Sequence, residues 1–167
     1  MKKLFILLAA LTLVAALAIG AAAQTQFRTF ISLLSPGEEV HEVVSDAHGI
    51  ATFNISQDGQ SVRFHLNVSG LEDITMAHLH RAPEGSNGPV VVWLYPSGPP
   101  PQTTNVDGLL ARGTITPDNL GGSLAGDWEG FISEMRAGNL YANVHTLEYG
   151  AGEIRGQLRT NASFRSK

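Results

Sequence analysis

The chain has 167 residues, 43% of them hydrophobic and 16% charged, with no cysteine and a formal net charge of −4. Without cysteine, a blue-copper or Cys-rich zinc site is excluded, and any metal must be held by nitrogen and oxygen donors. The acidic balance and the lack of a basic stripe interleaved with aromatics exclude nucleic acid as a partner.

Residues 1–23 read as an export signal. Lys2 and Lys3 form a positive start, Leu4 to Ile19 an uncharged apolar stretch, and Ala21-Ala22-Ala23 a small-residue cleavage site before Gln24. A retained membrane anchor is the competing reading, because Phe5 to Ala23 nearly reaches the roughly 20 residues that a spanning helix needs. No cysteine stands at the junction, which rules out a bacterial-type lipid anchor. Residues 24–160 then form one domain, large enough at about 140 residues to bury a core without disulfides. The expected location is secreted or periplasmic.

The elements follow in chain order. Thr25 to Leu34 suits an opening strand, broken by Ser35-Pro36-Gly37. Glu38 to Glu42 is a polar connection, read as a hydrated loop rather than as a cation site built from Glu38, Glu39 and His41. Gly49 to Ser56 alternates, placing Ala51, Phe53 and Ile55 on one face. Asp58-Gly59 signals a hairpin, so Ser61 to Ser69 returns antiparallel and buries Val62, Phe64, Leu66 and Val68, with His65 pointing out. His48, at the strand entrance, reads as a loop histidine.

Ile74 to Arg81 is the next strand, and the Gly- and Pro-rich run Ala82 to Pro89 is loop, either a plain connection or a lid. Val90 to Tyr95 is a continuous apolar strand ended by the proline-rich run Pro96 to Gln102. Leu109 to Ile115 is another. Helical spacing of Leu124, Trp128, Phe131, Ile132 and Met135 predicts one short helix near Gly122 to Ala137, with Gly138 as its C-cap and Trp128 and Phe131 plugging one mouth of the fold. Leu140 to Leu147 and Glu153 to Leu158 are the last strands, and 161–167 is a frayed tail. The fold class is therefore all-β, an antiparallel sandwich or barrel of superoxide-dismutase-like or immunoglobulin-like type, with one short helix.

The candidate site lies on two of these strands. In Ala77-His78-Leu79-His80 the apolar pair takes the core, which leaves two imidazoles about 7 Å apart on the other face. His145, on the face shared by Tyr141 and Asn143, supplies a third if its strand lies nearby. Three neutral imidazoles suit copper or zinc, with copper(II) favoured by the affinity order for nitrogen sites. The alternative is a set of solvated strand histidines. If the last two strands pair, His145 has Glu153 or Arg155 as a cross-strand neighbour, and a carboxylate there would orient the imidazole. Glu153, Arg155 and Asn143 are thus candidate outer partners, and the competing reading makes Glu153 and Arg155 an exposed ion-pair array.

The segments Gly37-Glu38-Glu39-Val40, Gly49-Ile50-Ala51-Thr52-Phe53, Val68-Ser69-Gly70-Leu71, Ala77-His78-Leu79-His80, Asn87-Gly88-Pro89-Val90-Val91, Tyr141-Ala142-Asn143-Val144-His145-Thr146 and Gly152-Glu153-Ile154-Arg155-Gly156-Gln157-Leu158 occur in an order and spacing that resemble the CHRD domain. That module is repeated in chordin and found alone in exported bacterial proteins. The resemblance implies an antiparallel β-sandwich or barrel. In chordin the domain belongs to an extracellular antagonist of signalling proteins, a role that does not transfer to a lone domain. At His41 the chain departs from the family pattern, which has proline after Glu-Val.

Three functions are consistent with these features: an exported domain that binds copper or zinc through His78, His80 and His145; an envelope module that contacts protein or polysaccharide without metal; and a redox enzyme similar at fold level to copper-zinc superoxide dismutase. The second metal constellation of that enzyme has no match, and no Ser-His-Asp set, phosphate loop or carboxylate pair is present to carry other catalysis. Mass spectrometry of the exported product should show Gln24 as the first residue; a product beginning before Ala21 contradicts cleavage there.

Overall fold

Period-2 alternation makes each strand two-faced, and two such sheets hide their apolar faces by stacking on one another. In the computed structural model, which describes residues 28–96 and 104–160, nine strands do this. They are β1 (Thr29–Leu34), β2 (His48–Ile55), β3 (Val62–Ser69), β4 (Ile74–Arg81), β5 (Val90–Tyr95), β6 (Gly108–Ile115), β7 (Leu140–Thr146), β8 (Ile154–Gln157) and β9 (Arg159–Thr160). One sheet has the order β6-β3-β2-β1-β9 and the other β5-β4-β7-β8. Every strand pairing is antiparallel. The result is a sandwich, not a closed barrel.

Between the sheets the predicted Ala51, Phe53, Val62, Phe64, Leu66 and Val68, joined by Phe30, meet Ala77, Leu79, Ala142, Val144 and Ile154. Each large apolar side chain buried this way contributes about 1.5–3 kcal/mol. The Asp58-Gly59 turn closes the β2–β3 hairpin in the expected register, Phe53 opposite Phe64, with Gly59 at a φ of +72°. The Asp58 carboxylate accepts from the Gln60 N–H at 3.1 Å.

The helix is shorter than its pattern. A 3-10 turn, Gly122–Leu124, is followed by Gly126 at a φ of +75°, and only then does α1 (Trp128–Ala137) begin. The left-handed glycine breaks the run, and Asp127 restarts it by accepting from the Gly130 N–H at 2.9 Å. Gly138 caps the end in the left-handed conformation as predicted. α1 fills the end of the sandwich: Phe131 and Met135 are fully buried, the Trp128 Nε1–H donates to the Gly59 carbonyl at 2.7 Å, and Arg81 Nε donates to Glu134 at 3.1 Å.

The last predicted strand is β8, and one further strand follows it. After Leu158 the chain leaves the four-stranded sheet, and β9 pairs with β1 in the other. Ser35 and Arg155 exchange backbone hydrogen bonds beside this crossing, which stitches the two sheets along one side. The segment 1–23 expected to be an export signal, with Gln24, most of the Pro96 to Gln102 run and residues 161–167 lie outside the described residues. No helix among the described residues is long and apolar enough to cross a membrane.

One expectation is overturned. Alternation alone would leave the face of β7 and β8 opposite the core in water, yet Tyr141, Asn143, His145, Glu153, Arg155 and Gln157 are all buried there. The stretches 35–47 and 82–89 fold over that face and replace water with protein donors and acceptors. The exposed ion-pair array is therefore absent.

Phe131→Ala should lower stability by about 3–5 kcal/mol in urea unfolding. Trp128→Phe removes one hydrogen bond and should cost only about 0.5–1.5 kcal/mol; a larger effect of the second change contradicts the assignment of Phe131 as the filling side chain.

Candidate metal centre

The buried outer face of the four-stranded sheet is a grid set by register. Met76 lies opposite His145, His78 opposite Asn143 and His80 opposite Tyr141; across β7, Asn143 lies opposite Arg155 and Tyr141 opposite Gln157. His78 and His145 thus occupy diagonal positions, within reach for long side chains. Between β4 and β5 the register shifts on both sides of the His78–Leu79 pair, and these bulges set Trp93 opposite His78.

The three predicted histidines come together. One ring nitrogen from each of His78, His80 and His145 lies within 4.8 Å of the others, and all three side chains are buried. Ring centroids are 5.5 Å apart for His78 and His80, 5.1 Å for His78 and His145, and 6.0 Å for His80 and His145. His48 and His65 do not join them. His48 is exposed at the start of β2, and His65 lies between Thr52 and Arg112 on the outer face of the other sheet.

Hydrogen bonds assign the tautomers. The Gly88 carbonyl accepts from His80 Nδ1–H at 2.9 Å, and the Gly150 carbonyl accepts from His145 Nδ1–H at 3.1 Å. A neutral His145 then has its lone pair on Nε2, which accepts from His78 Nδ1–H at 3.2 Å. The remaining lone pairs, on Nε2 of His78 and of His80, are buried and have no hydrogen-bond partner among the described residues.

Compared with known protein families, the chain matches the CHRD domain over residues 30–158. It belongs to the CHRD domain family. The match encloses β2 to β8 and every residue of the histidine grid. No curated protein matches the chain, and no solved structure does.

In this CHRD domain the imidazoles are held neutral. Burial, followed by the charges of His145 and His80, pushes His78 down to about 3. Burial likewise lowers His145 to about 4, against the Gly150 carbonyl, which favours the proton, and with further lowering from His80 and His41. His80 is lowered by burial and by the Arg155 charge, opposed by the Gly88 carbonyl. The chemical outcome is that burial favours the neutral, ligand-ready form of all three imidazoles, for His78 and His145 well below neutral pH.

The outer partners differ from expectation in one respect. Glu153 does not orient His145: its carboxylate accepts from Ser45 Oγ at 2.7 Å and Thr146 Oγ1 at 2.8 Å, and the Gly150 carbonyl takes the place expected for it. Asn143 Nδ2 donates to Glu39 Oε1 at 2.6 Å and to the Ile154 carbonyl at 3.0 Å. Arg155 lies with its guanidinium carbon 3.7 Å from the Tyr141 ring centroid, and His80 stacks on the same tyrosine at 4.9 Å. Trp93 packs edge-on against His78 at 4.3 Å, a contact invisible in a uniformly apolar run. Tyr141 was signalled by sharing the face of Asn143 and His145.

The sign of the pH effect follows from these lowered values. Unfolded histidines take up protons below about pH 6.5 while the buried ones do not, so stability is lost as pH falls through that value toward 4 and 3. The urea midpoint should drop between about pH 6.5 and 5, above the range where most carboxylates titrate. In the same interval the imidazole NMR signals of His78 and His145 should stay at their neutral shifts; protonation of these two near pH 6.5 contradicts the burial argument.

Proposed function

We propose that this CHRD domain is an exported metal-binding domain whose His78, His80 and His145 hold copper or zinc. The observation that carries the reading is the pair of orphaned nitrogens. A histidine layer kept only for structure would satisfy its ring nitrogens, because a buried unpaired polar atom costs about 1–3 kcal/mol. Here two Nε2 atoms are unpaired within a cluster of three imidazoles. A cation meets the His80 nitrogen directly and takes His78 through its other ring nitrogen. His80 and His145 have their Nδ1–H fixed by carbonyls, as ligating histidines do, so each offers Nε2. His78 donates its Nδ1 proton to one of those nitrogens, and moving that proton to its own Nε2 frees Nδ1 as the third donor.

An all-nitrogen donor set without thiolate favours copper(II) over zinc by the affinity order. The lowered pKa values also move proton competition. An unperturbed imidazole would release its metal below about pH 6, whereas His78 and His145 remain unprotonated to about 4 and His80 is lowered in the same direction.

Calorimetric titration of copper(II) and zinc(II) into the purified protein tests the reading. The protein should bind copper more tightly than zinc, and His78→Ala and His145→Ala should each weaken binding by more than about tenfold, in line with the sensitivity of metal sites to lost histidine contacts. Affinity should change little between about pH 7.5 and 5.5 and fall as pH approaches 4. Equal, weak binding by all three proteins overturns the metal reading and favours an envelope module that contacts protein or polysaccharide.

A further inference from the structure

His41 is the residue at which the chain departs from its family pattern, and its surroundings are unlike those of a loop histidine. It follows the 3-10 turn Pro36–Glu38, in the stretch that covers the outer face of β7 and β8. Its side chain is 33% exposed, yet Nε2 is buried and has no hydrogen-bond partner among the described residues. Nδ1 lies 3.7 Å from Glu39 Oε2, and the Glu39 side chain is only 2% exposed. The other oxygen of that carboxylate accepts from Asn143, which stands between Tyr141 and His145 on β7 and opposite His78 on β4. The Glu39–His41 pair therefore rests against the same patch of sheet as the three histidines, and the charge of His41 is among the causes that depress His145.

From this juxtaposition we propose that His41 is the fourth nitrogen ligand of the centre, held from behind by Glu39; the inference rests on the three-histidine reading. A carboxylate 3.7 Å from Nδ1 favours the proton on that nitrogen, which leaves the Nε2 lone pair for a cation. His41 is not within the 4.8 Å cluster, so it must move to bind. The backbone permits this: Val40 to Val43 makes no hydrogen bond among the described residues, while Glu39 on one side and Val44 and Ser45 on the other are tied down. A divalent cation entering this face meets the charge of the buried Arg155, and Glu39 is the carboxylate that interacts with both Arg155 and His41.

Copper(II) is the probe, and electron paramagnetic resonance counts its nitrogen ligands. The unchanged protein should show four-nitrogen hyperfine structure, and His41→Ala should show three, with affinity weakened about 10- to 100-fold. His65→Ala should leave both unchanged, and Glu39→Gln should keep four nitrogens with a smaller loss. If His41→Ala lowers the urea midpoint, His41→Gln is read in its place. A His41 variant with unchanged affinity and spectrum, in a protein whose copper is lost with His78→Ala, overturns the fourth ligand and leaves the three-histidine centre standing. No copper binding by the unchanged protein overturns the centre itself.

Discussion

A guanidinium sits where strand alternation would place it in water. Arg155 is 2% exposed on the outer face of the four-stranded sheet, and a buried charge is tolerated only when its donors and its field are met. Its Nη1 and Nη2 donate to the Asn87 side chain at 3.2 Å and the Ser86 carbonyl at 3.1 Å, and its plane lies over Tyr141, a cation–π contact worth about 2 kcal/mol when desolvated. These bonds strap the 82–89 loop across the sheet. The same loop presents the Gly88 carbonyl to His80 and the Gly88 N–H to the Tyr141 hydroxyl, so the orientation of His80 depends on the burial of Arg155. Only glycine fits at 88, because a Cβ there would run into the Arg81 carbonyl.

The second cover is built the same way from the other side. Glu39 accepts from Asn143, Ser45 donates to Glu153, and the Tyr149 hydroxyl donates to the Val44 carbonyl at 3.0 Å. Gly152, at a φ of +126°, lets the chain pass under this contact, since a Cβ would lie 2.7 Å from the Glu39 carboxylate. Two loops, each held by a few charged or amide side chains, turn one sheet face into a second, polar interior. Low dielectric is the functional consequence: it keeps the imidazoles neutral and makes their unpaired nitrogens costly unless a cation meets them.

Much of the frame was legible because it is local. Asp58-Gly59 between two alternating runs specified the β2–β3 hairpin and its register, and Asp127 and Gly138 marked the ends of the helix. Gly126 was not read as a break because apolar spacing continues across it, whereas a left-handed residue stops a helix regardless of periodicity. The strand β9 directly after β8 was equally hidden: nothing in Leu158 to Thr160 marks a change of sheet, and only the pairing with β1 draws the chain end across.

For the site, alternation alone determined that His78 and His80 share a face and that Tyr141, Asn143 and His145 share another, since side-chain direction in a strand depends only on position. That the two faces are one face was decided by the pairing of β4 with β7, which brings His78 to His145 across 67 positions and which no local pattern encodes. Whether the face is wet was decided by loops still more distant in the chain. Glu39 reaches Asn143 across 104 positions and Ser45 reaches Glu153 across 108, and the exclusion of water by such contacts turns surface-patterned histidines into a buried, neutral cluster.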